Sequence, residues 1–250
     1  VREIGRGGFA TVYQASDTVL GRQIALKLLH PARLEDPQTL ARFRAEARIT
    51  SQLIHPNIVV VFDTGDIDGQ YFIAMQYVAG QSLAHTMAER KDELMPFDGI
   101  ASLLRQIGPA LDYAHANGAI HRDVKPANIL MDGRGQAYLS DFGIAKALST
   151  ATTTGLSVFG QIIGTPHYFS PEQAEGKTLD GRSDLYSLGV IAYELCTGRV
   201  PFQSETLVSL MHRIVYDPPP APLTLHPRVV EPIAGVLMRA DRSAWHLGSP

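Results

Sequence analysis

The sequence predicts an α+β fold in which a strand-rich first third is followed by a helix-rich remainder. Three observations predict it. The first 29 residues break at glycine-containing turns into short apolar runs of strand length. Helical apolar spacing then takes over after Asp36-Pro37 and returns from Phe97 to Asn117. A chain of 250 residues, 45% apolar and 19% charged, has material for a sizeable core and excludes disorder as a whole.

Val1 to Ile4, Thr11 to Ala15 and Gln23 to Leu29 are expected as the first strands, with turns at Gly5 to Gly8 and at Leu20-Gly21. The first turn reads Gly5-Arg6-Gly7-Gly8-Phe9-Ala10-Thr11-Val12. It is either an ordinary glycine hairpin or a loop whose amides approach phosphates closely. Lys27, alone among the apolar residues of the third strand, either runs its stem out to solvent or reaches into a cleft. From Asp36-Pro37 to about Leu53, Leu40, Phe43, Ala47 and Leu53 line one face of a helix, with Glu46 among Arg42, Arg44 and Arg48.

His55-Pro56-Asn57 ends that helix, and Ile58 to Phe62 pairs with Tyr71 to Tyr77 around a turn at Asp66 to Gly69. Ser82 to about Arg90 and Phe97 to Asn117 read as helices, the second closed by Gly118 and burying Ile100, Leu103, Ile107 and Leu111. Ile129 to Met131 and Ala137 to Leu139 form a hairpin around Asp132-Gly133, and Leu185 to Cys196 is a central, mostly buried helix. Pro218 to Pro222 is a stiff loop inside the domain.

A net charge of −3 and an isoelectric point near 6.3 provide no basic field, so no nucleic-acid partner is expected. Cys196 is the single cysteine, which rules out an internal disulfide, and no Cys/His cluster offers a zinc site. A cytoplasmic setting fits. No apolar run approaches the roughly 18 residues of a membrane span. The chain opens inside a strand, so it is expected to be a fragment of a longer polypeptide whose parent could be membrane-anchored.

Chemistry concentrates between His121 and Gly143. His121-Arg122-Asp123-Val124-Lys125-Pro126-Ala127-Asn128 precedes the hairpin, and Asp141-Phe142-Gly143 follows it. The hairpin returns the chain to its start, so two carboxylates, an amide and a lysine share the ends of apolar strands. That set suits a reaction in which one carboxylate orients a hydroxyl while an amide and a second carboxylate hold divalent metal against phosphate oxygens.

This segment resembles the catalytic and metal-binding part of a protein kinase, and the resemblance extends over residues 1 to 240. It is similar to bacterial eukaryote-like (Hanks-type) serine/threonine kinases, above all in Ser170-Pro171-Glu172-Gln173-Ala174. The resemblance implies a bilobal fold with ATP in the cleft: an N-lobe over 1–77 with a small antiparallel sheet and one helix, a hinge at 78–80, a mainly helical C-lobe over 81–240, and an atypical tail over 241–250.

Carried onto this sequence, Asp123 is the catalytic base, and Lys125 neutralises the transferring phosphoryl group. Asn128 and Asp141 bind Mg²⁺, with Mn²⁺ as a substitute. Lys27 contacts the nucleotide phosphates and is held by Glu46. Gly5, Gly7, Gly8, Val12, Ala25, Met75, Gln76 and Val78 belong to the nucleotide pocket. Met75 would be its gatekeeper, and backbone groups of Gln76 to Val78 would meet the adenine edge.

Arg122 would receive a phosphate from the Ser/Thr-rich loop, where Thr152, Thr153, Thr154 and Ser157 are the candidates, placed there by a second copy in a transient homodimer. Thr165 would bond Asp123 and Lys125. Lys125 and Thr165 favour Ser/Thr hydroxyls of protein substrates. Asp184 would brace the catalytic loop, and Glu172 would pair with an arginine near the end of the chain. The usual Asp-Pro-x-x-Arg context is missing there, with Arg242 as the substitute. His121 is expected to be structural. The rival expectations are a pseudokinase or scaffold, which the complete set Lys27, Glu46, Asp123, Asn128 and Asp141 disfavours, and a small-molecule kinase, which Gly164-Thr165 and Ser170-Pro171-Glu172 disfavour.

Overall fold

The computed structural model describes residues 1–8, 10–30, 44–45, 47–90, 93–142 and 166–222. Five antiparallel strands form the first sheet: β1 (Arg2–Arg6), β2 (Ala10–Asp17), β3 (Arg22–Leu29), β4 (Val61–Ile67) and β5 (Gln70–Gln76), in the order β1-β2-β3-β5-β4. Strand β3 is central, and its alternation buries Ala25, Lys27 and Leu29 on one face. A lysine on the inward side of a strand breaks the apolar pattern, which marks it as a group with a partner. Ala10, Leu29, Ala47, Val61 and Ile73 make the small core, so the helical backbone at 47–50 packs through Ala47 onto this sheet.

Gly80 leaves the sheet lobe directly into a second, three-stranded sheet: β6 (Gly80–Ser82), β7 (Ile129–Asp132) and β8 (Ala137–Leu139). Helix α1 (Leu83–Arg90) follows, with the Ser82 hydroxyl accepting from the His85 N–H at 3.2 Å as an N-terminal cap. Helix α2 (Phe97–Ala116) buries Ile100, Leu103, Ile107, Ala110, Leu111 and Ala114, the stripe its 3.6-residue spacing predicts, and Gly118 at φ +75° ends it. A four-residue helix α3 (Pro171–Ala174) precedes α4 (Gly181–Thr197), which crosses the centre of the lobe, and α5 (Leu207–Tyr216) closes the described part. The main core joins α2 and α4 to the β7–β8 hairpin through Ile107, Leu111, Ile129, Leu139 and Ile191, each of which contributes roughly 2 kcal/mol by burial.

Two details depart from the sequence expectations. Residues 58–60 do not begin β4. The backbone of Asn57 and Val59 instead exchanges hydrogen bonds with Leu139 at 2.8 and 2.9 Å, giving an isolated parallel bridge between Ile58 and Leu139. Second, the hairpin turn places its left-handed glycine at Gly135, φ +83°, rather than at Gly133. The Asp132 carboxylate accepts from the N–H groups of Arg134 and Gln136, both at 2.9 Å, and so widens the turn. At the end of the expected hinge, Gly80 already pairs with Asp132.

Gly80 tolerates no side chain. A Cβ there would lie 1.9 Å from the Met131 carbonyl oxygen. Gly80→Ala should therefore break the β6–β7 pairing and lower stability by about 1–3 kcal/mol. An unchanged urea midpoint in the variant would show that the pairing adapts.

Candidate active site

Strand β3 sets Lys27 opposite Val12 on β2 and Ile73 on β5, and leaves it 8% exposed. Its ammonium donates to the Asp141 carboxylate at 2.6 Å. Asp141 sits just beyond β8 in a left-handed conformation, φ +60°, a backbone state that costs a non-glycine residue about 1–3 kcal/mol. Burial pushes its carboxyl up, but the Lys27 charge and hydrogen bond, with Lys125 behind them, outweigh this and hold it below the usual carboxylate value. Met75 lines the same small pocket as Ile73, Ser140, Asp141 and Phe142.

At the other end of the hairpin, Asp123 gathers two neighbours. Lys125 Nζ donates to Asp123 Oδ2 at 2.7 Å, and Asn128 Nδ2 donates to Oδ2 at 3.0 Å and to the Asp123 carbonyl at 2.8 Å. Both N–H bonds of Asn128 thus go to Asp123, and its amide oxygen is what it can offer a cation. The turn over Pro126–Asn128 fixes this approach, and Ser140 bonds the Asn128 carbonyl with both its N–H (2.9 Å) and its hydroxyl (3.1 Å). These bonds tie the start of the hairpin to the residue before Asp141.

His121 is fully buried, and its ring stacks on Phe142 with centroids 4.6 Å apart. Nδ1 accepts from the Asp123 N–H at 3.2 Å, so Nε2 carries the hydrogen and donates to the Ser140 carbonyl at 2.8 Å. Asp184, 1% exposed near the start of α4, accepts from the His121 N–H (2.8 Å), the Arg122 N–H (2.7 Å) and His115 Nε2 (2.8 Å). Arg122 is left-handed, φ +65°.

The remaining predicted residues fall in two places. Gly5 pairs with Val12 across β1 and β2, the Gly7 N–H donates to the Ala10 carbonyl at 2.9 Å, and Gly8 is exposed, so the glycine turn overhangs β2. Ala25 pairs with Met75. Gln76 grips Val60 twice: its N–H donates to the Val60 carbonyl at 2.8 Å, and its side-chain oxygen accepts from the Val60 N–H at 3.4 Å. Val78 is buried just beyond. Glu172 accepts a hydrogen bond from the Ser183 hydroxyl. Glu46, Thr152, Thr153, Thr154, Ser157, Thr165 and Arg242 lie outside the described residues.

Sequence reasoning passed over several residues that hold this site. Asn57 donates to the Ala137 carbonyl at 2.8 Å and to Gln106 at 3.1 Å, and Gln106 also accepts from the Ala137 N–H at 2.9 Å. Tyr168, in the turn before α3, donates to the Glu194 carboxylate of α4 at 2.6 Å, and burial pushes both groups up. Ser170 caps α3 and completes a capping box with Gln173. A polar residue on a helix face or in a loop carries no periodic signal of its distant partner: Asn57 reads only as part of a helix end, and Ser170 and Gln173 only as members of a motif.

The donor set fits magnesium and nucleotide phosphate. Among the described residues no group of three or more His, Cys, Asp or Glu side chains could cage a metal. One carboxylate from Asp141 and one amide oxygen from Asn128 would suffice as protein ligands for Mg²⁺, which takes few of them when phosphate and water complete its shell.

A sheet lobe and a helical lobe, with a strand lysine reaching the aspartate just beyond the hairpin, define the bilobal protein kinase fold. The chain belongs to the protein kinase family: residues 1–222 match the family model described as "Protein kinase domain". It is 39% identical over 240 residues to the serine/threonine-protein kinase PrkC of Bacillus subtilis, across 96% of this chain and 36% of that protein. It is 40% identical over 255 residues to the serine/threonine-protein kinase PknA of Mycobacterium tuberculosis, across 100% of this chain and 58% of that protein. The chain thus spans only part of each relative. A solved Mycobacterium tuberculosis PknI kinase domain superposes with a TM-score of 0.74 at 33% identity, covering 96% of this chain and 85% of that one.

The Lys27–Asp141 pair sets an acid limit on stability. A carboxyl held below its ordinary 3.8 contributes stability that is present above that value and lost as pH falls through the lowered one. Lys27→Met leaves the burial and removes the ammonium, so the carboxyl should rise toward or past its unfolded value and its acid-side loss of stability should shrink or reverse. Melting temperatures of both proteins from pH 3 to 7 should show the variant less stable near neutral pH with a flatter acid limb, so that the two curves converge as pH falls; a constant difference across the range would refute the coupling.

Proposed function

We propose that this chain is the catalytic domain of a serine/threonine protein kinase, transferring the γ-phosphoryl group of ATP to Ser or Thr hydroxyls of protein substrates. The observation that carries this reading is the convergence of Lys27–Asp141 from one side and Asp123–Lys125–Asn128 from the other on the two ends of one hairpin. The names of the curated relatives support the choice of acceptor.

Asp123 accepts the proton of the substrate hydroxyl and orients it, with Oδ2 fixed by Lys125 and Asn128. Lys125 lies where it can follow charge onto the phosphoryl group. Lys27 and the glycine turn with Gly5, Gly7 and Gly8 bind the nucleotide phosphates, while Val12, Ala25, Met75, Gln76 and Val78 receive the base. Asn128 and Asp141 hold the metal. Bound Mg²⁺·ATP supplies the phosphoryl group and neutralises charge on its oxygens, leaving the protein to position and to complement charge. His121 is structural: both ring nitrogens are committed to backbone groups.

Outside the described residues, Glu46 is assigned to Lys27 and Thr165 to Asp123 and Lys125. Thr152, Thr153, Thr154 and Ser157 are assigned as acceptors for trans-autophosphorylation in a transient homodimer, with Arg122 as the receiver of the phosphate. The lobes are assigned to 1–77 and 81–240 with a hinge at 78–80, and the domain is assigned to the cytoplasm. No helix among the described residues is long and apolar enough to cross a membrane.

Purified protein incubated with labelled ATP and Mg²⁺ should label itself or a generic protein acceptor. Asp141→Asn should lower turnover by at least about 10³-fold, because the metal loses its carboxylate, while circular dichroism stays native. Retained turnover at saturating Mg²⁺ would remove Asp141 from the metal site.

A further inference from the structure

The Arg122–Asp123 peptide unit is held at both of its polar ends. Its N–H, which belongs to Asp123, donates to His121 Nδ1 at 3.2 Å. Its carbonyl, which belongs to Arg122, accepts from Gln173 Nε2 at 2.8 Å. The preceding peptide N–H is fixed by Asp184 at 2.7 Å. Arg122 is left-handed, so this plane is turned into an orientation that most residues avoid, and it relaxes unless its surroundings oppose the turn. His121 and Asp184 act on N–H groups; among the described residues, Gln173 is the side chain that holds the carbonyl.

Gln173 is itself positioned. Its side-chain oxygen accepts from the Ser170 N–H at 3.1 Å, and its own N–H donates to the Ser170 hydroxyl at 3.3 Å, the reciprocal pair that caps α3. Ser170 is fully buried, so the cap is internal. In an ordinary capping box the third residue can be Glu or Gln, because only its acceptor oxygen is used. Here the amide nitrogen has a second task that a carboxylate cannot perform. One side chain thus ties α3 to the backbone that aims Asp123.

We propose that Gln173 is a positioning residue for phosphoryl transfer, acting through the Arg122 carbonyl to orient the Asp123 carboxylate; this rests on the role given to Asp123 above. A peptide plane free to rock displaces a carboxylate by a large fraction of an ångström, and misplacement of about 1 Å costs on the order of 100-fold in rate. Nucleotide affinity is set on the other side of the cleft and is untouched.

Gln173→Glu tests the idea, because it keeps the acceptor for Ser170 and replaces the donor with oxygen lone pairs facing the carbonyl. Steady-state kinetics should show kcat down by about 10- to 100-fold, with KM for ATP within about twofold. As pH is lowered through the range in which the introduced carboxyl gains a proton, it regains a donor, so the variant-to-wild-type ratio of kcat should climb. His115, His121, Arg122, Asp123, Lys125, Glu172 and Asp184 face this region in both proteins, so the ratio isolates the introduced group. A kcat within about threefold of wild type at neutral pH overturns the proposal, and so does a large loss whose ratio stays flat with pH, which would mark general damage to α3. A wild-type protein without turnover refutes instead the kinase reading on which the proposal stands.

Discussion

The buried carboxylate of Asp184 is the constraint on which the catalytic centre depends. A carboxylate that is 1% exposed must find donors, and it finds two consecutive backbone N–H groups and an imidazole. Hydrogen bonds to a charged acceptor contribute roughly 1.5–3 kcal/mol each, enough to offset the left-handed Arg122, which costs about 1–3 kcal/mol. Because α4 runs through the largest core cluster, the orientation of Asp123 is referred to the most deeply packed helix of the lobe. Gly181, one turn ahead of Asp184, leaves room for the His115 ring, which a Cβ would approach to 2.5 Å. The third donor is therefore admitted by the absence of a side chain.

The hairpin carries that reference toward the other lobe. Its start is fixed by the turn at Asn128 and its end by Ser140, and the two are bonded to each other. From outside, Leu139 is clamped by the backbone of residues 57–59, and Asn57 and Gln106 hold Ala137. Residues 57–59 connect directly to β4, so the strand that leads into the sheet lobe is registered on the same hairpin that delivers Asp141 to Lys27. Two lobes with separate cores thereby share one internal ruler.

The strands, the two long helices and the hairpin were legible because burial imposes a period: Lys27 was conspicuous for breaking one, and α2 for keeping one over 20 residues. The polar chemistry of His121 to Asp141 was legible as a motif, since its residues are close in sequence as well as in space. Asp184 aside, whose bonds to the His121 and Arg122 N–H groups the resemblance implied, what escaped were polar residues whose partner is far along the chain. Residues 58–60 look like strand, and they do pair, but with Leu139 through an isolated bridge. Gln173 looked like one residue of a family signature, and Gln106 and Glu194 like helix residues. Their roles follow from hydrogen bonds spanning 51, 31 and 26 residues, which leave no local pattern to read.

The charges of the site are arranged so that they balance with or without ligand. As it stands, the Lys27 ammonium and the Asp141 carboxylate neutralise each other at 2.6 Å, as do Lys125 and Asp123 at 2.7 Å. A buried ion pair resists losing one partner, because the charge left behind is uncompensated. A purely anionic ligand would draw Lys27 away and strand Asp141, and a bare cation would do the reverse. A ligand that brings phosphate and a divalent cation together offers each group a replacement of the right sign. An ion pair of this kind would favour a ligand that carries both charges over one that carries either alone, and the left-handed turn at Asp141 holds its carboxylate against Lys27.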